Sequence, residues 1–170
     1  MADKIIIFSG KQYSGKDTAA KIMLAQLTNY RRCAMGDIIK LTYGKEKCLT
    51  YEEIEANKAQ YRADLIALGN WGRAQDPDYW LKKILEQNGN IIVTDVRVPH
   101  EYEIFKNAGA IAIRVEASRE TRLSRGELVG EDDITEVGLD NIENWDYIVN
   151  NNSTYENLHN QVMQIIEQLK

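Results

Sequence analysis

The sequence predicts an α/β fold, a three-layer sandwich built on a five-stranded parallel sheet. Two observations predict it: short apolar segments alternate with amphipathic ones along the chain, and no low-complexity stretch or internal repeat interrupts them. Alternation of this kind is typical of a parallel sheet whose strands are joined by helical crossovers. Because 170 residues suit one hydrophobic core, we expect a single catalytic domain over residues 1–170.

Five apolar segments are the candidate strands: Lys4 to Ser9, Arg32 to Met35, Asn90 to Asp95, Ala110 to Val115 and Trp145 to Asn150. The helices between them are expected to begin near residues that suit an N-cap or a first turn, namely Gly15, Asp37, Tyr51 or Lys58, Asp76, Pro99, Ser118 and Thr154. The segment from Ser118 to Asn141 is rich in charge and glycine and lacks a long apolar face. We interpret it as a lid over about residues 117–141. A mobile surface loop without a role is the alternative.

Composition and charge exclude several classes of protein. The net charge of −5 argues against binding to a nucleic-acid polymer, which requires a basic surface, but a few local cations still allow a small anionic ligand. No apolar run approaches the roughly 18 residues that span a bilayer, and the first residues do not resemble a signal peptide. Cys33 and Cys48 show no metal-ligand or disulfide spacing. We therefore expect a cytoplasmic protein with reduced thiols and no membrane segment.

The most specific motif is a glycine-rich loop that follows the first strand and opens a helix, Gly10-Lys11-Gln12-Tyr13-Ser14-Gly15-Lys16. Its spacing and context are those of a Walker A loop. Gly10 and Gly15 permit tight turns, backbone N–H groups and the helix dipole attract the phosphates of ATP, and Lys16 reaches the outer phosphates. The motif predicts a P-loop NTPase sandwich that binds ATP.

The residues after this lysine depart from the motif of switch GTPases and motor ATPases. Asp17 stands where those proteins have the Ser or Thr that ligates Mg²⁺, and Thr18 follows it. The arrangement resembles the Ser-Gly-Lys-Gly-Thr of adenylate kinases, which favours a small-molecule kinase. Asp17 either holds Mg²⁺ through water and orients Lys16, or only satisfies the dipole of the helix.

A second acidic residue, Asp95, ends the apolar strand from Ile91. In an open α/β sheet this position lies at the carboxyl edge, where ligands bind, so Asp95 is a Walker B candidate and a second metal ligand. Arg97 leaves the same edge two residues later. It is a candidate to contact the acceptor phosphate, and a structural ion pair with Asp95 is the alternative.

Phosphoryl transfer between two anions requires converging positive charge, since ATP and a phosphomonoester bring about six negative charges and Mg²⁺ cancels only two. Arg119, Arg122 and Arg125 follow one another at i, i+3 spacing in the predicted lid helix. Such spacing places neighbouring side chains on overlapping faces. We expect these arginines to contact the transferring phosphoryl group, with a solvated basic face as the alternative.

Three further cations are candidates for binding the acceptor. Arg62 and Arg73 share one long helix and lie about 16 Å apart along its axis, so we expect at most one of them to contact the acceptor phosphate. Lys40 follows the second strand. An exposed helix lysine is the commoner explanation for a residue of this type.

The order of these features resembles the P-loop nucleoside monophosphate kinase superfamily, and more closely the phage-type deoxynucleoside monophosphate kinases and the animal-type phosphomevalonate kinases. The resemblance covers nearly the whole chain and rests on Ser14 to Thr18, Leu68-Gly69 with Arg73, Asp76 to Trp80, Thr94 to Arg97, Asp132-Asp133 and Gly138 to Asn141. It implies a lid after the fourth strand, MgATP as donor and an acceptor bound between helices. It also implies that Lys16, Asp17 and Asp95 serve the donor and metal, and that Arg97 with the lid arginines serves the acceptor and transition state.

The two relatives differ in the charge they need around the acceptor. Phosphomevalonate carries a carboxylate beside its phosphate, and its kinases have a second arginine after the one matching Arg97 and extra basic residues in the phosphate loop. Here those positions are Val98, Gln12 and Tyr13. This charge argument favours a (deoxy)nucleoside monophosphate as the small-molecule acceptor, with phosphomevalonate as the alternative.

Two further expectations complete the sequence-based interpretation. Asn151, in a run of three asparagines after the last strand, is a candidate to line the adenine pocket. A P-loop ATPase or nucleotide-dependent switch is the alternative of another class. Gln12 and Gln75 are its weak candidates for activating water, and a catalytically inactive nucleotide-binding module is a third possibility.

Overall fold

The computed structural model describes residues 2–169, and its central element is a five-stranded sheet. The strands are β1 (Ala2–Ser9), β2 (Tyr30–Arg32), β3 (Gly89–Val93), β4 (Ile111–Glu116) and β5 (Tyr147–Asn150), in the order β2-β3-β1-β4-β5. The pairs β2–β3, β1–β4 and β4–β5 are parallel. The predicted five-stranded parallel sheet is therefore confirmed.

The helices of residues 2–169 are α1 (Lys16–Gln26), α2 (Met35–Lys47), α3 (Tyr51–Ala56), α4 (Lys58–Gln75), α5 (Tyr79–Leu85), α6 (Pro99–Asn107), α7 (Arg119–Arg125), α8 (Ile134–Val137) and α9 (Tyr155–Leu169). Most begin within three residues of the predicted starts. The short helix α8 lies inside the predicted lid and was not expected. No helix in this part of the chain has both the length and the apolar character needed to cross a membrane.

The predicted second strand, Arg32 to Met35, is wrong in its position. The strand ends at Arg32, and Met35 already begins α2. The carboxylate of Asp37 accepts a hydrogen bond from the backbone N–H of Ala34 at 3.2 Å, which satisfies a donor at the helix start. Cys33 and Ala34 are buried but do not belong to the sheet. Because buried apolar residues are also typical of strands, the strand was predicted to extend over them.

The chain divides into two compact units. The helical unit contains Ala2 and the continuous segment Cys33–Asn88, which joins β2 to β3 and contributes α2 to α5. The sheet unit contains Asp3–Arg32 and residues 89–169. The single catalytic domain expected over residues 1–170 stays a prediction.

The core of the sheet unit lies between the sheet and two helices. The apolar residues of α9 recur at helical spacing, so one face of the helix is buried against α1 and the strands. This cluster contains Ile6, Phe8, Ala19, Ala20, Ile22, Met23, Ile92, Ile113, Val115, Val149, Leu158, Val162, Ile165 and Ile166. Burial of these side chains fixes the carboxyl ends of β1 and β4, from which the phosphate loop and α7 begin.

The helical unit has its own buried centre at Trp80, which is 1% exposed. The indole N–H donates to the carbonyl of Gly69 at 2.9 Å, and a Cβ on Gly72 would lie 2.6 Å from the same ring. The Tyr43 hydroxyl donates to Asp64 at 2.7 Å, which links α2 to α4. These contacts hold α4 in one orientation within the unit, and α4 carries both Arg62 and Arg73.

Candidate active site

The phosphate loop, residues 10–16, joins β1 to α1 in a conformation that requires glycine. Gly15 has φ +94°, and a Cβ there would lie 2.2 Å from Nδ2 of Asn151. A Cβ on Gly10 would lie 2.5 Å from the carbonyl oxygen of Val115. The sequence thus forms the predicted loop because the sheet and the β5–α9 connection approach its backbone too closely for any side chain.

Lys16 and Asp17 stand together at the start of α1. The Lys16 side chain is only 10% exposed, its Nζ lies 3.4 Å from Oδ2 of Asp17, and Asp17 itself is well exposed. The two residues line a cavity of about 420 Å³, whose walls also contain Lys11, Gln12, Tyr13, Gly15, Thr18, Arg97 and Arg125. We call this the phosphate cavity. It brings together the phosphate loop and two of the predicted arginines.

Asp95 lies two residues beyond the end of β3 and is not among the residues that line the phosphate cavity. Within residues 2–169 no group of three acidic, histidine or cysteine side chains is placed to hold a metal ion. This donor set still fits Mg²⁺, which is usually held by one or two carboxylates together with substrate phosphates and water. The exposed carboxylate of Asp17 is the better placed of the two predicted ligands.

The predicted lid, residues 117–141, contacts the phosphate loop at several points. Arg125 donates to the carbonyl of Tyr13 at 3.1 Å and to that of Asn151 at 2.8 Å. The side-chain amide of Gln12 exchanges two hydrogen bonds with the backbone of Val129. Lys11 forms an ion pair of 2.6 Å with Asp140. The lid segment therefore contacts the phosphate loop through residues that are more than about 100 positions away from it in the sequence.

The three lid arginines do not converge on one point. Arg119 is exposed and pairs with Glu131 at 2.8 Å, and this guanidinium lowers the pKa of the Glu131 carboxyl below its ordinary value. Arg122 is buried, and its Nε has no partner among the described residues. Only Arg125 lines the phosphate cavity. Steps of 100° per residue leave Arg119 and Arg125 about 120° apart around the helix axis. Arg119 and Arg122 instead line another cavity, of about 500 Å³, together with Lys11 and Ser14 of the phosphate loop. Their contact with a transferring phosphoryl group stays a prediction.

Asn151, the residue predicted to line the adenine pocket, supports the phosphate loop. The side chain is buried, and its Nδ2 donates to the carbonyl of Ser14 at 2.8 Å, so the amide supports the phosphate loop. Asn151 nevertheless lines a cavity of about 310 Å³ together with Gly15, Thr18, Arg125, Ser153, Tyr155 and Leu158. We call this the Asn151 cavity; it adjoins the phosphate loop at Gly15.

Two buried charged residues near the phosphate loop, Arg114 and Glu136, were not predicted from the sequence. Arg114 is buried in β4, donates to Ser9 at 3.2 Å and to Asp140 at 3.0 Å, and lies over the ring of Trp145. An arginine inside an apolar strand was a signal that could have revealed it. Glu136, a buried carboxylate in α8, gave no such signal because nothing near it in the sequence marks its partners.

The helical unit contains a separate cavity of about 280 Å³, which we call the helical cavity. Its walls are Gly36, Ile39, Lys40, Lys58, Arg62, Leu65, Ile66, Gly69 and Arg73. All three cations that the sequence suggested for the acceptor thus meet in one place, although Arg62 and Arg73 are far apart along α4. Lys58 was not predicted and joins them.

The cations of the helical cavity differ in how far they are neutralised. Lys40 is paired with Glu55 and lies 3.9 Å from Asp37. Burial opposes its charge, but the Glu55 hydrogen bond and the neighbouring charges prevail and raise the pKa of Lys40. Arg73 donates to the side-chain oxygen of Asn70 at 3.0 Å. Lys58 and Arg62 are exposed and form no ion pair with the carboxylates of residues 2–169. These two keep a full charge for a ligand.

Two family models match the chain, and each spans more than half of it. The Phosphomevalonate kinase model matches residues 8–110, which include the phosphate loop and the whole segment 33–88 of the helical unit. The Deoxynucleotide monophosphate kinase model matches residues 64–162, which include α7 and α8. The two matches overlap on residues 64–110.

A sequence relative agrees with the first of these families, and solved structures share the fold. A phosphomevalonate kinase of Drosophila melanogaster is 28% identical over 96% of this chain and 94% of its own length. Among solved structures, shikimate kinase from Acinetobacter baumannii in complex with shikimate aligns with a TM-score of 0.56 at 14% identity, over 98% of this chain and 92% of that one. An APS kinase from Mycobacterium tuberculosis in complex with AMPPNP and APS gives 0.54 at 14% identity, over 98% and 96%.

The structural neighbours are too distant to indicate more than the fold, and that fold is the P-loop kinase sandwich which the sequence predicts. The family matches supply the activity, since both describe kinases of small phosphorylated molecules. The chain therefore belongs to the phosphomevalonate kinase and deoxynucleotide monophosphate kinase families of P-loop kinases, and it is a phosphotransferase with a small-molecule acceptor.

Proposed function

We propose that this chain transfers the γ-phosphoryl group of MgATP to a small phosphomonoester. The observation that carries the proposal is the phosphate cavity, where Lys16, Arg97 and Arg125 line one space with the phosphate loop. Phosphoryl transfer requires little covalent chemistry from a protein; it requires positioning and positive charge around the transferring group. The cavity offers both.

On the donor side, backbone N–H groups of the loop surround the phosphates of ATP, and Lys16 contacts the outer ones. Mg²⁺ neutralises phosphate charge when it is bound, and Asp17 is the residue that would hold it through water. The Asn151 cavity would hold the adenine, with Leu158 as part of its wall. Asp95 is the second residue proposed to serve Mg²⁺, although it does not line the phosphate cavity. Arg97 contacts the transferring phosphoryl group.

On the acceptor side, the helical cavity binds the phosphomonoester. Arg62 and Lys58 bind its phosphate because their charges have no partner within the described chain, and Arg73 supplies a further cation. Leu65 and Ile66 form the apolar wall. Guanidinium groups match phosphate oxygens with parallel hydrogen bonds, which gives the site preference for this group over a neutral alcohol.

The helical cavity supports phosphomevalonate as the acceptor. It is lined by four cations and by no aromatic, amide or hydroxyl side chain that could recognise a nucleotide base. A ligand with a second anionic group uses these cations better than a neutral base does. The phosphomevalonate kinase match also covers this whole part of the chain. We give the four cations of the helical cavity more weight than the lack of basic residues at Val98, Gln12 and Tyr13. Phosphomevalonate is therefore the first candidate acceptor.

A (deoxy)nucleoside monophosphate is the second candidate. The match to the deoxynucleotide monophosphate kinase model over residues 64–162 favours it, as does Val98 in the place of a second arginine. A cytoplasmic reaction is part of both proposals. It agrees with Cys33 and Cys48, which form no disulfide, as is typical of proteins in a reducing compartment.

The test is the release of ADP from MgATP by the purified protein, measured separately with phosphomevalonate, each deoxynucleoside monophosphate and each ribonucleoside monophosphate. We expect acceptor-dependent ADP with phosphomevalonate. Turnover with nucleotides alone would favour the second candidate. ADP release that ignores every acceptor would contradict the kinase proposal and indicate an ATPase.

A further inference from the structure

Glu136 is a buried acidic residue of the lid whose two carboxylate oxygens have different partners. Its side chain is 3% exposed. Oε2 accepts a hydrogen bond from the backbone N–H of Gln12 at 2.9 Å, and Oε1 accepts one from Nη1 of Arg97 at 3.3 Å. One carboxylate therefore joins the phosphate loop to the arginine that follows β3.

Local structure places Glu136 at this point. Asp133 is the N-cap of helix α8, and its side chain accepts hydrogen bonds from the backbone N–H and the hydroxyl of Thr135. Gly138 ends the helix, and a Cβ there would lie 3.3 Å from the carbonyl oxygen of Arg97. The end of the short helix thus lies close to the backbone of Arg97. A side chain at Gly138 would also lie 2.5 Å from the carbonyl oxygen of Ile134 in the same helix.

A buried carboxylate is costly unless it is paired and hydrogen-bonded. The partners of Glu136 are groups to which the proposed function gives roles, namely the phosphate loop and Arg97. A guanidinium has five N–H donors, so an arginine that gives one to Glu136 retains others for a phosphate. The side chain of Arg97 is 36% exposed, and a long side chain of this kind samples many rotamers when nothing restrains it.

We propose that Glu136 is a positioning residue, which fixes the guanidinium of Arg97 beside the phosphate loop when the lid is docked. The proposal rests on the proposed function, in which Arg97 contacts the transferring phosphoryl group. Glu136 touches neither substrate. It couples the lid to the reaction, because movement of α8 away from the loop would release Arg97 from its restrained position.

The first measurement compares Glu136→Gln with Glu127→Gln. Both changes remove one negative charge from the lid, but Glu127 is exposed and has no hydrogen-bond or ion-pair partner among residues 2–169. We expect kcat of the Glu136 variant to fall by roughly 100-fold, the effect of misplacing a reacting group by about 1 Å, with a smaller change in KM for ATP. The Glu127 variant is expected to retain the kcat of the parent protein.

A double-mutant cycle with Arg97→Ala separates positioning from a general structural role. If Glu136 acts through Arg97, the Glu136→Gln change lowers kcat much less when Arg97 is already absent. Equal losses in both backgrounds would overturn the proposal. Absence of kinase activity in the parent protein, by contrast, would show that the proposed function itself has failed.

A measurement without turnover follows the amide of Gln12 in ¹⁵N–¹H NMR spectra. Loss of the charged acceptor in Glu136→Gln is expected to shift this amide upfield and speed its hydrogen exchange, while Glu127→Gln leaves it in place. An unchanged Gln12 amide would contradict the contact. If thermal unfolding shows that Glu136→Gln does not fold, Glu136→Asp takes its place in every measurement. It keeps the charge but is too short to reach both partners, so the same losses are expected.

Discussion

The phosphate loop and the helical cavity are both basic, but they hold their cations differently. Around the loop, Lys11 is paired with Asp140, Lys16 lies beside Asp17 and Arg97 is paired with Glu136. In the helical cavity, Lys58 and Arg62 have no carboxylate partner among residues 2–169. Paired cations are held in place before a ligand arrives, whereas unpaired ones gain most from binding an anion. We expect changes at the loop to affect kcat, and changes in the helical cavity to affect acceptor KM.

The largest expected effect comes from Lys16→Ala, which removes the cation that contacts the outer phosphates. Turnover should fall by about 1000-fold or more, measured as acceptor-dependent ADP release. Lys21→Ala is the matched control, because Lys21 is an exposed lysine of the same helix. Near-parental activity of the Lys16 variant, with the control unchanged, would contradict the proposed role of the loop.

Arg62→Ala and Arg73→Ala test the other side of the comparison. Each should raise KM for the acceptor about 10- to 100-fold, the loss of one charged hydrogen bond, and leave KM for ATP close to the parental value. Steady-state kinetics with each substrate varied in turn measures this. Lys45→Ala, an exposed change on α2, is the control. A fall in kcat without a change in acceptor KM would break the distinction between the two regions.

Arg125→Met and Arg119→Met sharpen the comparison within the lid. Arg125 donates to backbone carbonyls of the loop and of Asn151, so its loss should raise KM for ATP about 10-fold. Arg119 forms an exposed ion pair with Glu131, and its loss should change that KM less than threefold or so. Equal effects of the two substitutions would indicate that both arginines act on the nucleotide after lid movement.

The smallest effect concerns the stability of the helical unit. A hydrogen bond to Asp64 raises the pKa of Tyr43 to about 12. Because this pKa lies above the ordinary value of about 10, the bond stabilises the fold fully below pH 10 and is lost as the pH rises through 12. NMR titration of the tyrosine ζ-carbons measures this directly. Asp64→Asn should return the pKa toward 10; a parental value near 10 would exclude the bond.

The sequence predicted the position of the phosphate loop better than the contacts of the lid, for a physical reason. A phosphate loop requires glycines and a lysine at fixed spacing, so Gly10 to Lys16 carry the signal within a few residues. The partners in Lys11–Asp140 are 129 residues apart in the sequence, and those in Gln12–Glu136 are 124 residues apart. No local sequence pattern predicts such contacts. The three lid arginines showed the reverse: their spacing suggested a common face, but Glu131 and the loop carbonyls attract them in different directions.

The cations proposed for the acceptor were predicted less completely than the phosphate loop but better than the contacts of the lid. Lys40, Arg62 and Arg73 were named as candidates from their charge. They line one cavity, even though the axial distance along α4 argued against a shared contact. The sequence could not show that Glu55 already neutralises Lys40, or that Lys58 adds a free charge. The strand boundary at Arg32 was misplaced because Cys33 and Ala34 are buried outside the sheet.

The helical segment Cys33–Asn88 leaves the sheet at the end of β2 and returns at the start of β3, its immediate neighbour. The two attachment points belong to paired strands of three and five residues, so they lie only about 10 Å apart. A segment anchored in this way can be exchanged or lengthened between relatives without altering the register of the remaining strands. The cations proposed to bind the acceptor are therefore encoded by one continuous stretch of the gene, separate from the stretch that encodes the phosphate loop.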